Sequence, residues 1–261
     1  MKRKTPSYIR LPLLLVIIGL LALFFLVNNH FLKSKHMNYL SINTDTIQTK
    51  SGEPLYITFL RHSSLILTFK NHVIYIDPLS EYLNDNDYPK ASYIFVTHEH
   101  YDHFDKKAIH NLSDAKTIVI LNKNSAELLG KGLIMKNNDR KSLTNDIFVQ
   151  AVPAYNITPA HLQFHPKDRD NGYVFTIGKT IIYISGDTED IPELSNLKNI
   201  DICFLPVNQP FTMTLAQANK AVRILHPKIF YPYHYSDTPV SQLIKLLHDK
   251  PEIKVVIHQM Q

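Results

Sequence analysis

The sequence has 261 residues, enough for one sizeable hydrophobic core, and its 44% hydrophobic and 20% charged residues are ordinary for a globular protein. It has only seven glycines and no Walker or GxGxxG pattern, which argues against the common nucleotide-binding loops. Four of the 28 basic residues and no acidic residue precede residue 29, so the other 24 basic residues nearly balance the 23 acidic ones, which argues against a dedicated nucleic-acid binder.

The N-terminus carries an uncharged stretch over residues 11–27, which as a helix spans about 25 Å and, with its flanks, reaches across a hydrocarbon core of ~30 Å. We predict a membrane anchor over residues 11–28, preceded by a basic segment, 1–10, that the positive-inside rule keeps in the cytoplasm. A cleaved signal peptide and a buried core helix are the alternatives, but the stretch lacks the small-residue cleavage site of a signal peptide. Residues 29–52 are polar and are predicted to be a stalk that leads to an extracytoplasmic domain, 53–261.

Beyond the stalk, short apolar runs alternate with turn residues, which is typical of β-strands. The predicted strands are 55–60, 64–69, 73–76, 93–96, 117–120, 147–152, 173–177, 180–184 and 202–205. Helical periodicity occurs over 125–129, 215–225 and 240–247, and Thr214 is placed as the N-cap of the second helix. Because strands dominate and helices are interspersed, we predict one α+β domain of two sheets with helices outside them.

The most informative segment follows the predicted strand 93–96 and holds four metal-binding side chains within six residues, His98, His100, Asp102 and His103. A loop at the end of a strand can fold such side chains onto one point, whereas helix positions two residues apart face in different directions. Imidazole nitrogens suit zinc, manganese or iron, and a carboxylate with a further histidine suits a second ion. The segment therefore predicts two divalent metal ions, with zinc expected; a solvated histidine-rich loop is the alternative.

This segment resembles the HxHxDH motif of the metallo-β-lactamase superfamily, and other stretches resemble further motifs of that superfamily in the same order. They are its opening strands, its Gly-Asp-Thr motif and the strand before its last histidine ligand, at residues 59–64 with 73–78, 184–188 and 227–235, respectively. The resemblance covers about residues 55–240. It implies a four-layer αββα sandwich with the metals at one edge, here preceded by the N-terminal transmembrane helix.

The resemblance also implies a role for each ligand. The first metal would take His98, His100 and a third histidine, the second metal would take Asp102, His103 and His234, and Asp187 would bridge the two. An independent observation favours Asp187, because it follows a predicted strand through Gly186, which allows the backbone to turn the carboxylate into a site. His234 lies among tyrosines and is by itself more typical of a core or surface histidine, but the apolar strand before it favours a ligand.

The third histidine departs from the most common pattern of the superfamily. Several members place it directly after the strand that corresponds to residues 147–152, where this sequence has Asn156. His161 and His165 follow, and the residues around them resemble a subgroup of small phosphate- and lactone-hydrolase-like members. We predict His165 as the third ligand; the alternatives are His161 and a site with only two histidines.

Asp102 and Tyr101 are the predicted catalytic residues. Two metal ions that share a water lower its pKa, so hydroxide forms near neutral pH and attacks a polarised carbonyl or phosphoryl group. Asp102 would orient this hydroxide, and Tyr101 would donate to the leaving group. His62 and Asp77 are predicted to lie behind the ligands and fix their orientation, with a core histidine and a turn residue as the alternatives. By position, the other candidate donors are Tyr155, Arg169 and Tyr235.

Two partial resemblances bear on the substrate. The segment 98–105, with a tyrosine before the aspartate, resembles that of N-acyl-phosphatidylethanolamine phospholipase D, whereas the region after Asn156 resembles hydrolases related to ascorbate-6-phosphate lactonase. Because an anchor would hold the site beside lipid headgroups, we predict a phosphodiester or phospholipid-type substrate. A lactone or other carboxylic ester is the first alternative, and a non-catalytic binding module with a degenerate metal site is the second.

Overall fold

A computed structural model describes residues 43–83 and 88–260 of the chain. The predicted membrane anchor, 11–28, and the basic segment before it lie outside these described residues. Within them, no helix is both long and apolar enough to cross a lipid bilayer.

The strands form two sheets of seven strands each. The first sheet contains β1 (Thr44–Gln48), β2 (Pro54–Arg61), β3 (Ser64–Phe69), β4 (His72–Ile76), β5 (Tyr93–Phe95), β6 (Ile118–Leu121) and β7 (Leu133–Ile134). The second sheet contains β8 (Arg140–Ser142), β9 (Ile147–Ala154), β10 (Asp170–Ile177), β11 (Thr180–Ile184), β12 (Ile202–Pro206), β13 (Ile229–Tyr233) and β14 (Lys254–Val255). Strands adjacent in sequence are adjacent in space throughout both sheets.

Both sheets follow the same plan. The first four strands of each, β1–β4 and β8–β11, pair antiparallel, and the fourth to seventh pair parallel. β10 and β11 are joined by a tight turn in which Gly178 and Lys179 have positive φ angles of 52° and 66°, which match the twist of an antiparallel hairpin. Parallel neighbours need longer crossover connections, and these connections contain the helices.

Four α-helices lie in the crossovers of the described chain: α1 (Lys106–Leu112), α2 (Lys123–Leu129), α3 (Leu215–Leu225) and α4 (Gln242–Leu246). The three predicted helices are confirmed as α2, α3 and α4. Thr214 caps α3 as predicted, and the side chain of Gln217 completes a capping box. Helix α1 was not predicted. It begins after Asp105, whose carboxylate accepts hydrogen bonds from two backbone N–H groups of the first turn.

The hydrophobic core lies between the sheets and extends to the helices. Alternate residues of β2, namely Leu55, Ile57 and Phe59, point into it. On β3 all six side chains are buried, which indicates that both faces of the central strands are covered. The buried face of α3 joins the same cluster, so this helix packs on the second sheet. The predicted α+β fold with two sheets is thus confirmed for the described residues.

The stalk predicted over residues 29–52 extends too far towards the C-terminus. Residues Thr44–Gln48 form β1, an edge strand that pairs antiparallel with β2. The Tyr231 hydroxyl donates to the Asp45 carboxylate at 2.6 Å, which links β1 to the second sheet. The strand was not predicted because it contains only one large apolar side chain, the partly buried Ile47, so its composition is that of a polar linker.

Candidate metal centre

The predicted ligands meet at one edge of the fold, where strands of both sheets end. The segment 98–103 follows β5, Asp187 follows β11, and His234 follows β13. The carboxyl ends of parallel strands meet at a common edge, so residues from distant parts of the sequence are brought together. His165 comes from the loop between β9 and β10.

One group consists of His98, His100 and His165. One ring nitrogen of each lies within 4.8 Å of one in each of the other two. His98 and His165 are buried and His100 is partly exposed. This arrangement contains the two histidines predicted for the first metal and His165 as the third.

A second group contains Asp102, His103 and His234, the ligands predicted for the second metal. Asp102 Oδ2 lies 3.5 Å from His234 Nε2 and 4.0 Å from His103 Nε2. His62 belongs to this group as well, because its Nε2 lies 3.1 Å from Asp102 Oδ2. His62 therefore contacts a predicted ligand, the Asp102 carboxylate, and its position would also allow it to bind a metal ion together with the other three.

Asp187 lies between the two groups. Its Oδ2 is 3.4 Å from His165 Nε2 and 3.3 Å from His234 Nε2, and its Oδ1 is 3.4 Å from His103 Nε2. Gly186, which turns the chain after β11, has a left-handed φ of 64°. This is the position that the sequence predicts for a carboxylate shared by two metal ions.

The donor atoms fit divalent cations. Five buried atoms around this point have no hydrogen-bond partner among the described residues: Nε2 of His98, His103, His165 and His234, and Oδ1 of Asp187. Buried polar atoms without partners are rare in folded proteins and call for a ligand. Ligands of a tetrahedral zinc ion with bonds near 2.1 Å lie about 3.3–3.5 Å apart, which is the spacing between Asp187 and three of these imidazoles.

Hydrogen bonds behind the ligands select the imidazole nitrogen that faces the centre. The Thr97 hydroxyl donates to Asp77 at 2.7 Å and accepts from Nδ1 of His98 at 2.9 Å. Nδ1 of His103 lies 2.8 Å from the same Asp77 carboxylate. Both histidines therefore direct Nε2 towards Asp187, and Asp77 lies where the sequence predicts a supporting carboxylate.

Asn156 has an analogous role for His165. Its side-chain Oδ1 lies 2.9 Å from Nδ1 of His165, and its backbone N–H donates to the His165 carbonyl, which closes the loop between them. The amide nitrogen of Asn156 donates to the Phe211 carbonyl at 2.8 Å. The alternative ligand, His161, faces elsewhere, with Nδ1 3.2 Å from the buried carboxylate of Glu189.

The pKa shifts at the centre place a buried anion among the donor atoms. Burial lowers the pKa of His98 and of His165, the latter to about 4, so both imidazoles are neutral near pH 7. Burial also opposes protonation of His103 and His234, but the Asp187 carboxylate outweighs it and raises both pKa values, that of His234 to about 9. Burial opposes ionisation of Asp187, yet the neighbouring His234 and His103 hold its pKa well below the usual value. Asp187 is thus a buried anion at the point where the donor atoms converge.

A cavity of about 630 Å³ opens onto the centre. It is lined by five of the predicted ligands and, among other residues, by Tyr101, Phe164 and Phe211, and the last two rings make an edge-to-face contact with centroids 4.9 Å apart. Tyr101 is 90% exposed, and it alone of the four candidate leaving-group donors lines the cavity. Tyr155 and Tyr235 donate their hydroxyl groups to a carboxylate and a backbone carbonyl elsewhere.

Sequence reasoning missed three residues that support the site. Thr97 precedes the first ligand and holds His98, Asn156 holds His165, and Glu189 fixes the loop before His165 by accepting from the backbone N–H groups of residues 157 and 158. Each is a small polar or acidic residue whose role depends on tertiary contacts. The position of Thr97, directly before the first histidine, was the one local signal for such a role.

A model of the β-lactamase superfamily domain matches residues 56–234, the range that contains every predicted ligand and most strands of both sheets. The chain belongs to the β-lactamase superfamily. A Nanoarchaeum equitans protein named a UPF0173 metal-dependent hydrolase is 34% identical over 200 residues, which cover 70% of this chain and 85% of that protein. The superfamily resemblance predicted from the sequence is therefore confirmed, and relatives of this chain are named as metal-dependent hydrolases.

Solved structures agree with this assignment to the superfamily. The crystal structure of a Parabacteroides distasonis protein, described as a metal-dependent hydrolase, is 50% identical and superposes with a TM-score of 0.82, covering 84% of this chain and 100% of that one. The metallo-β-lactamase fold protein YhfI of Bacillus subtilis is 12% identical, with a TM-score of 0.64 and coverage of 80% and 97%, and this likeness shows the fold alone.

Proposed function

We propose that this chain is a hydrolase with two metal ions, zinc in the first instance, that acts on a phosphodiester or phospholipid-type substrate. The observation that carries the proposal is the set of buried donor atoms without partners around Asp187. His98, His100 and His165 would hold the first ion, Asp102, His103 and His234 the second, and Asp187 both. When bound, two such ions lower the pKa of a shared water and polarise the oxygen under attack.

The residues of the chain then position the reactants. Asp102 faces the cavity with one carboxylate oxygen held by His62, so it is oriented to accept a hydrogen bond from the attacking water. Tyr101 lies at the exposed side of the same cavity, where its hydroxyl can donate to a leaving group. Asp77 and Asn156 fix the histidine tautomers and thereby hold the donor atoms in place before substrate binds.

The rim of the cavity supports a substrate with an apolar part. Two loops beside it, residues 156–165 and 207–214, contain no Lys, Arg, Asp or Glu, although one fifth of the chain is charged. Of their side chains, Phe211 lines the cavity and is 42% exposed, and Leu162 in the other loop is 49% exposed. Apolar side chains in contact with water at the mouth of a site favour an amphiphilic substrate over a small, fully charged one.

A membrane anchor over residues 11–28 is part of the proposal. The uncharged stretch and the basic residues before it support a single span with a cytoplasmic N-terminus and the catalytic domain outside the cytoplasm. In that arrangement the anchor would hold the enzyme at a surface that contains its substrate.

The direct test measures hydrolysis by the purified full-length chain in detergent. After removal of metal with a chelator, zinc should restore release of nitrophenol from bis(p-nitrophenyl) phosphate. p-Nitrophenyl acetate and γ-butyrolactone are the matched ester and lactone substrates. Preferential turnover of either would replace the phosphodiester assignment by the carboxylic-ester alternative. Absence of zinc-dependent turnover on all three substrates would contradict the enzymatic proposal and favour a binding module.

A further inference from the structure

The guanidinium group of Arg169 connects the two loops that carry His100 and His165. One of its NH2 groups donates to the carbonyl of Phe164, the residue before His165, at 2.9 Å. The same group lies 3.5 Å from Nε2 of His100. Arg169 does not belong to the residues that line the cavity, so it contacts the ligands from behind.

Asp170, the buried first residue of β10, fixes the plane of this guanidinium group. Nε of Arg169 donates to Oδ1 at 2.7 Å, and the NH2 group donates to Oδ2 at 2.8 Å. Such a two-pronged contact defines orientation as well as distance. The guanidinium group is therefore fixed to the first residue of a strand, and from there it contacts the loops that carry His100 and His165.

Glu99, which lies between His98 and His100 in the sequence, extends this support. Its Oε1 is 3.4 Å from Nε of Arg169. Its two carboxylate oxygens also accept hydrogen bonds from the side-chain amides of Asn122 and Asn124, at 3.1 and 3.0 Å. These asparagines lie at the start of α2, where Asn122 is the N-cap. Through Glu99 the metal-binding segment is thus hydrogen-bonded to the start of α2 and ion-paired with Arg169, which precedes β10.

We infer that Arg169 is a positioning residue for the first metal site, which it holds by fixing the loops of His100 and His165 relative to each other. The inference rests on the proposed metal-dependent function. A charge effect alone has the opposite sign, because a guanidinium cation beside a ligand repels a bound metal ion. The contacts to Phe164, Asp170 and Glu99 instead favour metal binding, because they hold two ligands in the required geometry before the ion arrives.

The test titrates the chelator-stripped full-length chain with Co²⁺ and follows the visible absorption bands of the two sites. In both Arg169→Lys and Arg169→Gln, first-site affinity should fall about 10–100-fold, the usual cost of losing support behind a ligand. Arg169→Lys should not retain wild-type affinity at the first site, because lysine keeps the positive charge but cannot form the two-pronged contact of a guanidinium group. The second site should titrate as in the wild-type chain. Arg140→Gln, at an exposed arginine of β8, is the matched control and should change neither site.

Two results would overturn the inference. Tighter cobalt binding by Arg169→Gln, with Arg169→Lys like the wild type, would assign Arg169 a purely electrostatic effect. Unchanged first-site affinity in both variants, with a lower melting temperature, would assign it a role in stability alone. If the wild-type chain bound no cobalt, the proposed function itself would fail, and that outcome is distinct from the other two.

Discussion

At the scale of single residues, Asn156 has the most unexpected role. Superfamily resemblance predicts a histidine ligand at this position, and the chain instead has an amide that holds His165, the predicted ligand nine residues further on. The segment 98–103 could be predicted from the sequence because its four donors fall within six residues. The prediction of His165 over His161 rested on the resemblance alone, because the residues themselves show neither the loop closure nor Glu189, which contacts His161.

Asn156→Ala should weaken metal binding at the first site about 10–100-fold, because His165 loses the nearer of its two acceptors and keeps only the Phe211 carbonyl at 3.2 Å. Competition with a chromogenic chelator measures this affinity. Asn138→Ala, at an exposed asparagine, is the control and should bind metal as the wild type does. Wild-type affinity in Asn156→Ala would show that His165 is oriented without the amide.

Asp170 makes folding stability depend on pH. Burial outweighs its ion pair with Arg169 and raises the pKa of its carboxyl group to about 7. Because the folded pKa is above the unfolded value of about 3.9, the stabilisation is complete below pH ~4 and is lost as the pH rises through about 7. Relative to Asp170→Asn, the unfolding free energy of the metal-free wild type should therefore fall by about 3 kcal/mol between pH 5 and pH 8. Urea unfolding of both proteins at pH 5 and pH 8 measures this change. If the unfolding free energies of the wild type and Asp170→Asn differed by the same amount at both pH values, the raised pKa would be contradicted.

At the scale of elements, the turn after β11 determines where Asp187 lies. A Cβ atom at Gly186 would approach the Asn171 carbonyl to 2.9 Å and Cβ of Thr97 to 3.0 Å, and the residue has a positive φ. Gly186→Ala should therefore cost about 1–3 kcal/mol of unfolding free energy and displace Thr97, which supports His98. The metal content of the purified Gly186→Ala variant should fall as well.

Gly130→Ala is the matched control for this substitution. Gly130 also has a left-handed φ, of 75°, but a Cβ atom there meets nothing within 4 Å. Its replacement should cost about 1–2 kcal/mol through backbone strain alone and leave metal content unchanged. Equal loss of metal in the two variants would contradict a specific role for the turn at Gly186.

Most strands and three helices could be predicted because their apolar periodicity is strong. The elements that were missed lack it. β1 is a polar edge strand, and β7, β8 and β14 have two or three residues each. α1 follows the metal-binding segment so closely that Asp105, its N-cap, could equally be counted with the acidic residues of the site. Such elements form because neighbouring strands and caps stabilise them, which is tertiary information.

At the scale of the whole molecule, each sheet contributes to one centre, which lies where the sheets meet. The first sheet supplies the ligands after β5, and the second supplies Asp187 and His234. The cavity rim adds the two uncharged loops, so the same edge holds the metal-binding atoms and the exposed apolar side chains.

Serine substitutions at Leu162 and Phe211 test the rim. With both replaced, hydrolysis of a p-nitrophenyl phosphodiester that carries a long alkyl chain should fall about tenfold or more, because apolar contact area is lost. Hydrolysis of bis(p-nitrophenyl) phosphate should change little. The control replaces Ile244 and Leu246, exposed apolar residues of α4, by serine. An equal loss on both substrates, or the same loss in the control, would contradict a role of the rim in substrate binding.

The central claim is that two metal ions share Asp187 and that His165 completes the first site. Its most direct test is the zinc content per chain of the purified full-length protein and of two variants. The wild type and His161→Ala should each retain about two zinc ions, and His165→Ala should retain about one. Loss of zinc from His161→Ala with full retention by His165→Ala, or a wild-type chain without bound metal, would contradict the account.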